Sequence, residues 1–296
     1  MRYGVLLPHV GPLARGSATT HIDLALTAAE ELGYASAWVG DHIVLPKQVT
    51  SLYPHAAGGN YTLRTDDPVL DPFSVLGYAV AKTSRIRLGT MVLVLPYRSA
   101  LVTAKAIATL DVLSGGRMTV GIGVGWLETE FELLNVPFKE RGRRTDEALA
   151  VMKELWSSDD PKYSGENYNF REIDFQPRPV QQPHPPIWIG GHTPAAMRRV
   201  IRDGDGWAAV VQSHDEYRKA REQFDRIAES AGRDPSQVTK VVSPRGITEE
   251  QLVKDAEAYA ALGVEELWLL YNSVENIQDM LSSMVRVSRS LTFEAV

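Results

Sequence analysis

The sequence predicts an α/β fold, a closed (β/α)8 TIM barrel with insertion loops at its C-terminal face. Three observations predict it. Eight short apolar stretches, near Tyr3, Ala35, Ile86, Met118, Ile187, Gly206, Lys240 and Val264, are each followed by a segment with apolar residues at helical spacing. Eight such repeats in about 290 residues is the size of a closed barrel, whereas an open doubly wound sheet usually has fewer. The strands are apolar or small on nearly every residue, the pattern of strands covered on both faces.

In chain order, residues 3–8 (YGVLLP) read as the first strand and 10–19 as a polar loop. Residues 20–32 read as a helix closed by Gly33, because helix C-termini favour a residue that tolerates the left-handed conformation. Residues 35–40 (ASAWVG) are the second strand and run into Asp41 and His42. Residues 44–70 form a long polar loop, of a length that is usually functional or disordered in compact domains. Asp71 and Pro72 then open a helix to about Thr83, as N-cap acid and first-turn proline. Residues 85–126 are a strand (85–95), a proline turn at Pro96, a helix (99–113) and a second strand (117–124), the length of one parallel βαβ unit. Gly89, Gly121, Gly123 and Gly125 gather at its strand exits, and glycine in a strand marks a close approach of something to the backbone. Residues 128–144 read as charged and irregular, 145–156 as a helix, and 158–186 as a Pro- and Gly-rich stretch with a short hairpin at 168–175. Strands at 187–190, 206–211, 240–243 and 264–270 then alternate with helices at 194–202, 214–231, 249–262 and 274–288.

The chain is expected to be one domain over residues 1–296. Its 44% hydrophobic and 23% charged content is that of an ordinary globular protein. A net charge of -6 argues against nucleic acid as the main partner. No run of about 18 apolar residues appears, so no membrane span is expected. With no apolar leader segment at the start, the cytoplasm is the expected location. The absence of cysteine removes disulfides, thiolate catalysis and Cys-ligated metals. The histidines show no HxxxH or HExxH spacing, so no metal site is expected.

In a barrel the chemistry sits at the C-terminal ends of the strands. Those exits are His9, Asp41–His42, Thr90–Met91–Val92, Gly123–Val124–Gly125–Trp126, Gly190–Gly191–His192, Gln212, Ser243 and Tyr271–Asn272. His42 is the first candidate for proton transfer, as an imidazole beside an acid at a strand exit. Gly190 and Gly191, just before a helix near Pro194, suit an anion, because backbone N–H groups and a helix N-terminus attract negative charge. The RGRR cluster at 141–144 reads either as a contact for an anionic tail, as a partner for Glu130 and Glu132, or as a solvated helix start.

Asp41-His42, GTMVL at 89–93, ATLDVLSGGR at 108–117, GIGVGW at 121–126, the charged 128–135 stretch, RGRRTD at 141–146, PIWIGG at 186–191 and GDGW at 204–207 occur in this order. Together they resemble the luciferase-like monooxygenase superfamily, and within it the branch of probable coenzyme F-420-dependent oxidoreductases. The resemblance implies a luciferase-like barrel with the cofactor ring in its mouth, against a non-prolyl cis peptide at Met91–Val92 next to Thr90. It implies that Gly123, Val124 and Gly125 meet the ribityl chain and that Gly190 and Gly191 meet a phosphate, and Trp126 then packs on the ring or shapes the pocket. It also implies that His42 lies near the reactive ring carbon, with Asp41 orienting it or binding the cofactor. The implied cofactor is coenzyme F-420, moving hydride to or from a small organic substrate. The alternatives are an FMN-dependent monooxygenase and a non-catalytic flavin-binding protein. A homodimer packed through helices near strands two and three is expected on the same basis. One departure matters: sugar-phosphate dehydrogenases of the superfamily carry a glutamate where this chain has Trp126, so that substrate is not carried over.

Overall fold

The computed structural model describes residues 1–49, 51–54, 59, 64–246, 248–271 and 274–293. Asn272 and parts of the 44–70 loop lie outside the described residues.

Strand β1 (Arg2–Leu6) leads to α1 (Ala18–Leu32), which buries Ile22, Ala25, Leu26 and Ala29 and ends at Gly33 with φ 82. β2 (Ser36–Val39) follows, and α2 (Pro72–Lys82) begins where the Asp71 carboxylate accepts the Ser74 N–H at 2.9 Å. β3 (Arg87–Thr90) and β4 (Leu93–Val94) precede α3 (Ala100–Ser114) and β5 (Met118–Gly123). Next come α4 (Glu128–Leu133), α5 (Arg141–Ser157) and a small hairpin of β6 (Tyr163–Ser164) and β7 (Asn169–Phe170). The rest alternates: β8 (Ile187–Gly190), α6 (Pro194–Asp203), β9 (Gly206–Val211), α7 (His214–Ser230), β10 (Thr239–Pro244), α8 (Glu249–Ala261), β11 (Glu266–Leu269) and α9 (Ile277–Ser290).

The large sheet is parallel throughout, in the order β3-β2-β1-β11-β10-β9-β8-β5-β4, and a β3–β5 pairing closes the ring. β3 and β4 share one barrel position, so the barrel has the eight positions expected. The strand expected over 85–95 is divided at Met91–Val92, whose peptide is cis, at the position the resemblance implied. Residues 128–144 are not irregular as expected. They hold α4 and the start of α5, where acids in the first turn of α4 and the Glu140–Arg144 pair at 2.9 Å suit helix. The hairpin lies earlier than 168–175, because the Gly165 N–H bonds the Tyr168 carbonyl at 2.9 Å and turns the chain there. The last helix starts at Ile277, where the Asn276 side chain caps Gln278.

Two apolar layers hold this ring. One lies between strands and helices; the other fills the barrel with Leu6, Trp38, Trp188, Ala208, Val241 and Trp268. The three indoles pack with centroids 4.4, 5.1 and 5.9 Å apart. Gly89 makes room for them: a Cβ there would lie 2.2 Å from Trp38. Beneath, Glu266 accepts from Ser36 Oγ at 2.5 Å and Trp268 Nε1 at 2.8 Å, and Ser36 accepts from Trp38 Nε1 at 2.6 Å. Burial pushes the Glu266 carboxyl above its usual range despite these bonds. This floor plugs the N-terminal end of the barrel and leaves the C-terminal mouth for chemistry.

Candidate active site

His42 leaves β2 half-buried, and its Nδ1 lies 2.7 Å from Glu130 Oε2. α4 carries Glu130 inward to the mouth, where it is fully buried. The same Oε2 accepts from the Tyr97 hydroxyl at 2.8 Å, and Oε1 accepts from the backbone N–H of Ile43 at 2.6 Å and of Val44 at 3.0 Å. Burial opposes the charge on Glu130, but the His42 bond and the two amides outweigh it and hold the carboxyl below its usual range. An ionised carboxylate only accepts, so the proton on this edge of His42 sits on Nδ1. Nε2 is then the ring atom that can exchange a proton with a ligand.

Asp41 does not orient His42, contrary to one expectation. Its buried carboxylate takes the Arg98 guanidinium on both oxygens, at 2.5 and 2.8 Å, and the Val94 N–H at 2.9 Å. It therefore ties the exit of β2 to β4, just beyond the cis peptide. His9 is likewise a tie rather than part of the pocket lining. Its Nε2 accepts the Gly40 N–H at 2.7 Å, which leaves Nδ1 to donate to the Leu7 carbonyl at 2.8 Å. Complete burial lowers its pKa to about 4, against these two bonds.

The expected cofactor residues fall into two groups. Met91, Val92, Val124, Gly125, Trp126, Gly190 and Gly191 are half-buried around one side of the mouth. Trp126 meets the edge of His42 at 6.2 Å and Tyr53 at 5.0 Å between centroids. Thr90 and Gly123 are buried behind them. The Thr90 hydroxyl donates to the Gly121 carbonyl at 2.7 Å. The space at Gly123 belongs to the protein itself, since a Cβ there would lie 2.5 Å from Val92 Cγ2. Val92 is thus wedged between β5 and β8, 3.0 Å from where a Gly190 Cβ would stand. Gly191 departs from the expected anion cradle: its N–H bonds the Ala208 carbonyl at 3.1 Å and its own carbonyl accepts the Trp207 Nε1 at 2.7 Å. Trp207 is core, stacked on Phe224 at 4.7 Å.

The RGRR cluster does not reach Glu130. Arg141 stacks over Phe138 at 3.9 Å, and Arg143 and Arg144 pair with Glu140 at 3.3 and 2.9 Å. Among the described residues no group of three or more His, Cys, Asp and Glu is placed to hold a metal ion. None of the helices described is long and apolar enough to cross a membrane.

The groups that hold His42 and Asp41, namely Glu130, Tyr97 and Arg98, were not singled out from sequence for these roles. The available signal was Glu130 four residues after Trp126, in a stretch that folds as one short helix.

The profile of the luciferase-like monooxygenase family matches residues 1–282. The chain belongs to that family. This luciferase-like chain is 33% identical to the phthiodiolone/phenolphthiodiolone dimycocerosates ketoreductase of Mycobacterium tuberculosis over 259 residues, covering 82% of this chain and 67% of the ketoreductase. Its fold matches monooxygenase RslO1 from Streptomyces bottropensis with a TM-score of 0.79 at 21% identity, over 98% of each chain. It also matches an F420-dependent secondary alcohol dehydrogenase, crystallised with an F420-acetone adduct, with a TM-score of 0.77 at 17% identity, over 98% of this chain and 99% of that one. At these identities the two structures speak for the fold alone.

Proposed function

We propose that this luciferase-like protein is an oxidoreductase that transfers hydride between coenzyme F-420 and a small organic substrate. The observation that carries the reading is the His42–Glu130 pair at 2.7 Å, at a mouth where Met91, Val92 and Trp126 present half-buried apolar surface. The residues present fit a flat ring: Met91, Val92 and Trp126 offer apolar surface, and His42 stands at its edge. When bound, coenzyme F-420 supplies or takes up the hydride at carbon. His42 supplies the matching proton from Nε2 to a carbonyl oxygen in the reducing direction and removes it in the other. Glu130 fixes the Nδ1 proton and the plane of the ring, Tyr97 and two amides fix Glu130, and Asp41 with Arg98 anchors the segment that follows Val92. The ketoreductase relative supports carbonyl–alcohol chemistry.

A second reading is an FMN-dependent monooxygenase, and the fold match to monooxygenase RslO1 bears on its monooxygenase part alone. Fluorescence titration of the purified protein with coenzyme F-420 and with FMN separates the two. Micromolar binding of F-420 with weak FMN binding supports the first; the reverse refutes it. We also propose a homodimer. Val102 and Leu113, 68% and 65% exposed on α3, form apolar surface of the kind that subunits cover. A monomeric mass by light scattering would refute this.

A further inference from the structure

Across the mouth from Met91–Val92, β10 and the residue that follows it carry two polar side chains, Ser243 and Arg245, that find no side-chain partner among the described residues. Counting around the closed ring, β10 lies four positions from β3 in either direction, so the two exits face each other. Side chains alternate along a strand. Val241 packs inside the barrel with Trp38, Trp188 and Trp268, whereas Val242 belongs to the outer layer. Ser243 and Arg245 continue the inward series toward the mouth, and the Arg245 N–H on the Val211 carbonyl at 2.8 Å extends the β9–β10 ladder to that residue.

Ser243 is 1% exposed, and its hydroxyl has no hydrogen-bond partner among the described residues. Arg245 is half-buried, its Nε is buried without an acceptor, and no carboxylate or carbonyl among the described residues receives its guanidinium. Other arginines that are buried or half-buried are answered: Arg199 by Asp146, Arg98 by Asp41, and Arg233 by the carbonyls of Val200, Ile201 and Gly204. Even Arg141 and Arg178, whose Nε is also unpaired, are held through Nη1 by Phe138 and Asp159. Buried donors in folded proteins almost always have acceptors. A guanidinium keeps its charge and offers a planar fork that matches a carboxylate or phosphate.

We propose that Ser243 and Arg245 form an anion subsite for the carboxylate or phosphate oxygens of a molecule bound across the mouth from His42. The inference deepens the proposed function and rests on it only for what carries the anion. With His42 on one wall and Arg245 on the other, the substrate is an acidic carbonyl compound, or the matching alcohol, held by its anionic end. The acidic tail of the cofactor is the other possible source of the same chemistry.

The test begins without cofactor. Inorganic phosphate and succinate are titrated into the wild-type protein and the Arg245→Gln, Arg245→Lys and Arg226→Gln variants, with binding read by calorimetry. Arg226 is exposed and serves as the control for net charge. Saturable binding of at least one anion is expected for wild type and Arg226→Gln, weakened tenfold or more in Arg245→Gln and less in Arg245→Lys. Equal affinity in wild type and Arg245→Gln, or no saturable binding of either anion to wild type, overturns the subsite. Coenzyme F-420 affinity is then measured on the same proteins. An unchanged value in Arg245→Gln assigns the anion to the substrate, and a tenfold loss assigns it to the cofactor tail. If F-420 fails to bind wild type at all, the proposed function falls while the anion result stands.

Discussion

Replacing Glu130 with glutamine tests the proton machinery directly. The carboxylate accepts from two donors on each oxygen: Ile43 and Val44 N–H on Oε1, and His42 Nδ1 and Tyr97 OH on Oε2. In Glu130→Gln the amide oxygen still serves the two backbone N–H groups. The amide nitrogen then replaces Oε2 and confronts two donors with a third. The conflict resolves only if His42 gives up its Nδ1 proton and carries it on Nε2, and if Tyr97 turns to accept. A hydrogen bond to a charged group contributes about 1.5–3 kcal/mol. All four bonds become neutral ones while the cost of burying the charge is relieved, so we expect a net stability loss of about 2–3 kcal/mol, and each kcal/mol lowers Tm by about 2–4 °C in a protein somewhat smaller than this. General acid–base catalysis contributes about 10²–10⁴-fold, and a ring in the wrong tautomer forfeits about 10²-fold of it in the direction that removes a proton. The tautomer is read from the 15N shifts of labelled histidine, with His42→Asn to assign the signals. The loss in rate is read with whichever substrate the protein turns over. A His42 that keeps its proton on Nδ1 in Glu130→Gln, with turnover within twofold of wild type, would refute this reasoning. The acid limb gives a second check. A carboxyl held below its usual range stabilises the fold above that range, and this stabilisation is lost as pH falls through the lower folded value. Glu130→Gln lacks that contribution.

Two further outcomes are expected. Asp41→Asn leaves the buried Arg98 facing a neutral amide, with Asp71 3.9 Å away as its remaining acid. Breaking a buried pair costs about 3–5 kcal/mol, and partial compensation by Asp71 puts the expected loss near the lower end. Urea unfolding measures it, and the His42 tautomer stays unchanged because Asp41 does not touch that ring. For His9, the folded pKa of about 4 lies below the ordinary histidine value of 6.5. The unfolded chain therefore binds the extra proton between these values, and stability falls as pH drops from 6.5 to about 4, by roughly 3 kcal/mol in all. His9→Gln, which has an acceptor for Gly40 and donors for Leu7, flattens the dependence through that window in urea midpoints taken at several pH values. An unaltered slope would show that another group is responsible.

The sequence alone determined the barrel. Strand and helix periods are local properties, and eight repeats with small or apolar strands leave few other ways to bury both faces of the sheet. It also marked Met91–Val92, because the GTMVL and GIGVGW segments carry their resemblance in contiguous residues. The surroundings of His42 were not legible in the same way. Asp41 sits next to His42 in the chain just beyond β2, yet Asp41 turns to Arg98 while His42 turns to Glu130. The carboxylate that holds His42 comes from 88 residues away, on a short helix whose position is set by packing rather than by local pattern. The glycines of β5 looked like room for a ligand, but the room at Gly123 is taken by Val92. Arg245 was not singled out from the sequence, because only the closed ring brings the exit of β10 opposite the exit of β3. Local periodicity decides which elements form; only closing the ring decides which side chains meet across it, because those contacts depend on strand order and register rather than on spacing in the chain.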